Sequence, residues 1–317
     1  RAILVFYITA LTTAENAGLG WTKIEALELY GIYTALVYIM SIPGGILADK
    51  ILGQKKTVML GGLLLCCGHG ILAIEHIYAF YAGLMLIILG VGALKPNIST
   101  MVGGLYKDRD VRRDMGFSIF YIGINIGAAA ASIIVGYIGT VHGWHYGFGL
   151  AGIGMLMGQF VYWWGQRFLI GIGELVKRSE SNEAVASAPL TKIEKDRVIV
   201  LLISFLIVIV FWGAFEQAGG LLNLYTDEKV DTLGIPAAIF QALNPIYIII
   251  LGTVIAAFWM WVQRLGKESS SLFKMAIGTM IMGSGFLLMT GASMEASAEP
   301  FGKAAVWWLF GAYLLHT

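Results

Sequence analysis

Ten apolar stretches, each long enough to be a membrane-crossing helix or a piece of one, restrict what this 317-residue chain can become. They fall at residues 1–13, 30–48, 57–75, 78–101, 115–140, 144–169, 198–224, 237–262, 271–293 and 303–317. A bilayer asks for roughly 20 apolar residues per helical span. Hydrocarbon offers no partner to a backbone amide, so such stretches must satisfy their hydrogen bonds as helices. The residues are 58% hydrophobic and 13% charged, against about 45–50% and 25% in a soluble domain. An all-α polytopic membrane protein is therefore expected.

Net charge is +1 and carries no information about partners, but the placement of the cations does. Counting alternate connections as one side puts sixteen of the 21 lysines and arginines there, in clusters after spans two, four, six and eight. The other side holds Lys23, Lys229 and Lys303. Lysine and arginine accumulate in cytoplasmic loops, so the amino terminus and the connection after span six are expected to be cytoplasmic. A miscounted span would scramble this asymmetry, which supports the ten-span parse. Residues 170–197, rich in Ser, Glu, Lys and Ala, form the one long polar segment. It reads as a linker between an amino-terminal bundle at 1–169 and a carboxyl-terminal bundle at 198–317. Two six-helix repeats would then place two further spans beyond Thr317, with span one also incomplete.

Four features carry chemistry. The first is Gly44-Gly45-Ile46-Leu47-Ala48-Asp49-Lys50-Ile51-Leu52-Gly53-Gln54-Lys55-Lys56 at the end of span two. Glycines let helices approach closely, Asp49 is placed to accept hydrogen bonds from the start of the next helix, and Lys50, Lys55 and Lys56 offset its charge. An ordinary basic loop is the competing account. Second, Lys95 follows an unbroken apolar run and precedes Pro96 and Asn97. A charge at membrane depth is costly and marks function unless it snorkels to the interface.

Third, Glu216 lies deep in span seven, in Phe211-Trp212-Gly213-Ala214-Phe215-Glu216-Gln217, with no cation near it in sequence. Burial disfavours a bare carboxylate, so a proton and a cationic partner compete for it. A structural ion pair would explain it equally. Fourth, Tyr121 and Asn125 in span five stand four residues apart and share a helix face with Phe117, giving an aromatic wall and an amide that donates and accepts. Plain helix packing is the alternative. Adjacent Cys66 and Cys67 point apart on a helix, the five histidines are scattered, and no nucleotide-binding loop is present. No metal, no cofactor and no nucleic-acid partner is expected.

The Gly45–Lys56 loop resembles the signature of the major facilitator superfamily. Together with Leu94-Lys95-Pro96-Asn97, the F-x-x-F-Y-x-x-I-N-x-G run from Phe117 to Gly127, F-W-x-x-F-E-Q in span seven and Phe240-Gln241-Ala242-Leu243-Asn244-Pro245, it resembles the proton-dependent oligopeptide transporters. The resemblance covers nearly the whole chain, and the span-five run is its most specific part.

The resemblance implies a major facilitator fold of two six-helix halves and import of di- and tripeptides by proton symport through alternating access, in the cell inner (plasma) membrane. It implies that Arg1 and Lys95 hold the peptide carboxylate and that Tyr38, Tyr121, Asn125 and Asn244 meet the peptide. It also implies that Trp212 and Phe215 line a side-chain pocket and that Glu216 pairs with the span-one arginine until protonated. Gly45, Asp49, Lys50, Gly53, Lys55 and Lys56 would form the conformational loop. Three departures accompany it. The E-x-x-E-R element expected before Arg1 and the span-ten glutamate expected after Thr317 are not in this sequence, and residues 170–197 are too short and polar for the two extra helices many bacterial members carry.

A short peptide has two terminal charges and variable side chains between them, so its carrier needs charge at two poles and a tolerant aromatic middle. Two other readings remain open. Another major facilitator carrier, for nitrate, drugs or sugar, would be told apart by Lys95 and the span-five run. A membrane-embedded enzyme would need clustered His, Asp or Cys at depth.

Overall fold

The computed structural model describes residues 2–107, 110, 112–175, 191–267, 270–298 and 302–317. Within them the chain forms helices α1 (Leu4–Thr9), α2 (Lys23–Ile39), α3 (Ser41–Leu47), α4 (Gln54–Leu72), α5 (Ile77–Gly104), α6 (Arg113–Val141) and α7 (Trp144–Gly165). After the linker come α8 (Lys192–Phe215), α9 (Leu221–Lys229), α10 (Leu243–Arg264), α11 (Ser271–Ser297) and α12 (Trp307–His316). Among the described residues, six helical stretches are long and apolar enough to cross a membrane: Lys23–Leu52, Ile77–Gly104, Arg113–Val141, Lys192–Lys229, Ala237–Arg264 and Leu272–Ser297. The stretches expected at 57–75 and 144–169 are helices as well, α4 with 19 residues and α7 with 22. Those expected at either end are shorter: α1 has 6 residues and α12 has 10.

The surface identifies the solvent. No residue of the 24-residue α8 is buried, and Leu206, Ile209 and Val210 on it are 65%, 65% and 69% exposed. A helix apolar all round and open all round is stable only in hydrocarbon. This is a multi-pass membrane protein.

Several helix ends differ from those expected, each for a local reason. Span two breaks at Met40 because Pro43 has no N–H for the carbonyl four residues back and its ring crowds that position. After α3 the chain takes a π turn over Ala48–Leu52 and reverses at Gly53, whose φ of 77° suits glycine. Helix α8 starts at Lys192, not 198, because Thr191 and Glu194 form a capping box. Its charged first turns stay polar while the apolar run continues into lipid. A two-residue parallel pairing, Val230–Asp231 with Ala304–Ala305, is an addition to the all-helical expectation.

The chain divides into two compact units: residues 1–176 with 235–246, and residues 177–234 with 247–317. In the first, α4 and α5 pack along interleaved glycines. A β-carbon on Gly61 would stand 2.7 Å from the Gly90 carbonyl oxygen and 2.7 Å from the Leu94 nitrogen, and one on Gly68 would stand 3.0 Å from the Gly83 oxygen. Gln159 and Tyr162 of α7 fasten α4 from the other side, donating to the carbonyls of Met59 at 2.8 Å and Lys55 at 3.0 Å. Segment 235–246, expected within the carboxyl-terminal bundle, joins this unit, with Ala238 against Gly136 of α6.

The second unit is organised around the α11–α12 hairpin. Trp308 of α12 lies on Gly291, and His316 on Gly285. The Glu295 carboxylate accepts from the Ala305 amide at 3.1 Å and from the Trp308 indole N–H, tying the end of α11 to the start of α12.

Candidate functional site

Helix α5 continues through Pro96, which has no N–H to give the carbonyl of Gly92. Gly92 lies where α3 crosses: a β-carbon on Gly44 would collide with the Gly92 oxygen, and one on Gly92 would stand 2.5 Å from the Met40 oxygen. One residue past the proline, Asn97 is 4% exposed. Its amide donates to Ala93 in its own helix at 2.8 Å and to Gly44 across the crossing at 3.2 Å. The Lys95-Pro96-Asn97 segment is thereby pinned to the start of the loop motif.

Pinned in this way, Lys95 presents its ammonium to the ring of Tyr38 on α2, with Nζ 5.1 Å from the centroid. Two expected binding residues are thus in contact, at a distance where the negative face of an aromatic ring attracts a cation. The other residues of this unit divide. Tyr121 is 53% exposed and Asn125 is 5% exposed. The Asn125 amide donates to the Tyr121 carbonyl at 2.8 Å, so it serves its own helix. Asn244 is half-buried in the first turn of α10.

In the second unit, Phe211, Trp212 and Phe215 form a cluster. Phe211 stacks on Phe215 with centroids 5.9 Å apart, and Trp212 meets Phe215 edge-on at 5.2 Å. Glu216 follows directly, half-buried, where α8 ends and a 3-10 turn, Glu216–Gly219, leads into α9. It marks the break between two helical pieces rather than the interior of one. Arg1 lies outside the described residues.

The loop motif is held from both sides of Lys55. The Lys55 amide donates to Gly173 at 2.9 Å, and the Lys55 carbonyl accepts from Tyr162. The first residues after α7 therefore dock on the motif instead of leaving it as free linker. They need glycine to turn there: Gly171 and Gly173 have φ of 76° and 68°. Thr57 donates to the Gly53 carbonyl at 2.8 Å and closes the turn. Gly45 is half-buried, while Asp49, Lys50 and Lys56 are exposed. Asp49 does not cap the next helix as expected, since the N-cap of α4 is Gly53, with no side-chain cap. Asp49 lies in the first turn of the π segment Ala48–Leu52. In the connection between α5 and α6, the Arg112 guanidinium donates to Asp110 at 3.1 and 2.9 Å and holds its carboxyl below the usual range.

Sequence reasoning missed Asn97 as a tether, Gln159 and Tyr162 as fasteners, and the docking of 170–175. The positive-φ glycines were the visible signal for the last. Nothing local marks the others, because each joins residues far apart in sequence.

Comparison with known proteins follows the same lines. The POT family model, PTR2, matches residues 55–174 and 170–317, two pieces that meet at the linker. A di-/tripeptide transporter of Lactococcus lactis subsp. cremoris is 34% identical, over 98% of this chain and 74% of its own length. A crystal structure of the peptide transporter POT in complex with alafosfalin superimposes with a TM-score of 0.84 at 34% identity, covering 99% of this chain and 74% of that one. A POT family transporter in complex with a thioalcohol-conjugated peptide gives a TM-score of 0.79 at 28% identity, covering 99% of this chain and 76% of that one. These likenesses fix the fold as that of the major facilitator superfamily. Matched in order from residue 55 to residue 317 and alike in fold along nearly all its length, the chain belongs to the POT family.

Proposed function

We propose that this chain is the larger part of a proton-coupled importer of di- and tripeptides that works by alternating access in the inner (plasma) membrane. The contact of Lys95 with Tyr38 carries the reading. A lysine next to a helix-interior proline, held over an aromatic face, is a fixed positive pole with an apolar wall beside it. That is what the carboxylate end of a short peptide requires. Tyr121 and Asn244 offer hydroxyl and amide partners, Asn125 keeps its side-chain oxygen to accept while its N–H serves its own helix, and water can mediate where side chains vary. Trp212 and Phe215 supply the tolerant pocket. The relatives support the cargo: one is named for di- and tripeptides, and a solved neighbour holds a conjugated peptide.

Glu216 is the coupling group in this scheme. Its side chain is half-buried at the break that follows α8, and in this scheme it holds in turn a proton and the arginine of span one. Exchange of one for the other releases the two halves to rock. The loop motif, with Gly53 as its pivot and Lys55 gripped from both sides, transmits the motion at the cation-rich face. That face is cytoplasmic by the sidedness of lysine and arginine, with the amino terminus and linker on it.

The test is uptake of labelled dialanine by the full protein in liposomes. An inward proton gradient should raise the initial rate and drive accumulation, and unlabelled dialanine should compete while free alanine does not. Uptake indifferent to the gradient, or equal competition by alanine, would remove the reading.

A further inference from the structure

Beside the loop motif, and apart from the residues assigned to peptide, a cavity of about 600 Å³ opens between the start of α4, the end of α7 and the docked segment after it. Lys55, Lys56, Met59, Trp163, Gln166 and Glu174 line it. Its depth in the bilayer can be read from the same helix end. Trp163, Trp164 and Phe168 are 62%, 52% and 67% exposed. Arg167 stacks over two of them, 4.1 Å from the Trp164 ring and 4.8 Å from the Phe168 ring. Exposed tryptophans with an arginine among them form the belt that a membrane protein sets at headgroup level. A cavity with that belt on its rim, on the cation-rich side, opens where headgroups lie.

We propose that this cavity binds the headgroup of an anionic phospholipid, phosphatidylglycerol in chemistry. Lys55 and Lys56 face the phosphate. Glu174 and Gln166 accept from the glycerol hydroxyls. Met59 and the Trp163 ring border the first methylenes of the acyl chains. Charge selects the headgroup: two lysines and one glutamate leave the lining with one net positive charge, which a phosphate diester bearing a neutral polyol balances. The occupant would bridge α4 and residues 173–175, the two partners of the Lys55 amide bond to the Gly173 carbonyl. It would thus brace the loop motif against the linker root.

Bromine on an acyl chain quenches tryptophan by contact, so the site can be read at Trp163. The full protein is placed in phosphatidylcholine vesicles carrying either brominated phosphatidylglycerol or brominated phosphatidylcholine at equal bromine content. The Trp163 signal is the difference between the protein and Trp163→Phe. Brominated phosphatidylglycerol should quench it more strongly. Lys55→Gln and Lys56→Gln should each lower that preference about fivefold, the worth of one cation at an anionic surface, and Glu174→Gln should raise it. Soluble glycerol phosphate in excess should leave the quenching unchanged. Lys56 and Glu174 are exposed, so the test survives misfolding of the Lys55 variant. Equal quenching by the two lipids, or a preference that none of the substitutions moves, would overturn the proposal. Displacement by glycerol phosphate would overturn it too, by making the cavity a site for soluble phosphates.

Discussion

Replacing Gly61 by alanine puts the α4–α5 seam to a quantitative test. The added β-carbon would stand 2.7 Å from both the Gly90 oxygen and the Leu94 nitrogen. Both are backbone atoms, which cannot swing aside as a side chain can. Ordinary contact requires the helices to part by about 0.7 Å, and a gap of that size forfeits a quarter to a half of each neighbouring contact. Gly68 against Gly83 and Ile87, and Gly90 against Leu65, lie on the same seam and lose with it. Overpacking of this kind costs about 1–3 kcal/mol, and the better helix propensity of alanine returns up to about 1 kcal/mol. With the full return, the net loss is up to about 2 kcal/mol, which corresponds to a fall of up to about 8 °C in unfolding midpoint for a unit of this size. Gly70→Ala is the internal control. It lies on the same helix with nothing within 4 Å of a built β-carbon, so it should hold or raise the midpoint. Thermal unfolding of the two variants in one detergent reads the difference. If Gly61→Ala melts at or above the parent protein, together with Gly70→Ala, the close backbone contact is refuted.

Asn97→Ala should lower stability by about 1–3 kcal/mol, since it removes two buried hydrogen bonds and leaves the Gly44 carbonyl without that donor. The same unfolding measurement checks it, and an unchanged midpoint would show that the tether contributes nothing. Tyr38→Leu should raise the KM for dialanine about 2- to 30-fold, the worth of one cation–ring contact, while Tyr38→Phe should keep the parent value. Equal losses in the two variants would assign the role to the hydroxyl rather than the ring.

The long helices were legible because their signal is local: an apolar run in a bilayer has one backbone solution. Helices α5, α6 and α11 lie within four residues of the stretches read from hydropathy. Boundary errors arose where a polar signal competed with the apolar one. Thr191 and Glu194 extend α8 into charged sequence, and Pro43 breaks span two in the middle of an apolar run. The site was legible as residue types and much less as geometry. That Lys95 would be functional follows from the cost of a charge at depth. That it sits over Tyr38 depends on α2 and α5 being neighbours, which no local pattern reveals. Asn125 shares a helix face with Tyr121, as its spacing implies, yet its amide N–H bonds to its own backbone, an option always open to asparagine in a helix. Asp49 was expected as a cap but falls in the first turn of a π segment that composition does not reveal.

The proposed proton coupling rests on a proton and the span-one arginine competing for the carboxylate of Glu216. In liposomes bearing the full protein, Glu216→Gln should abolish accumulation of dialanine under an inward proton gradient while leaving exchange of dialanine for dialanine largely intact. A Glu216→Gln protein that still accumulates dialanine as the parent does, driven by the same gradient, would contradict it.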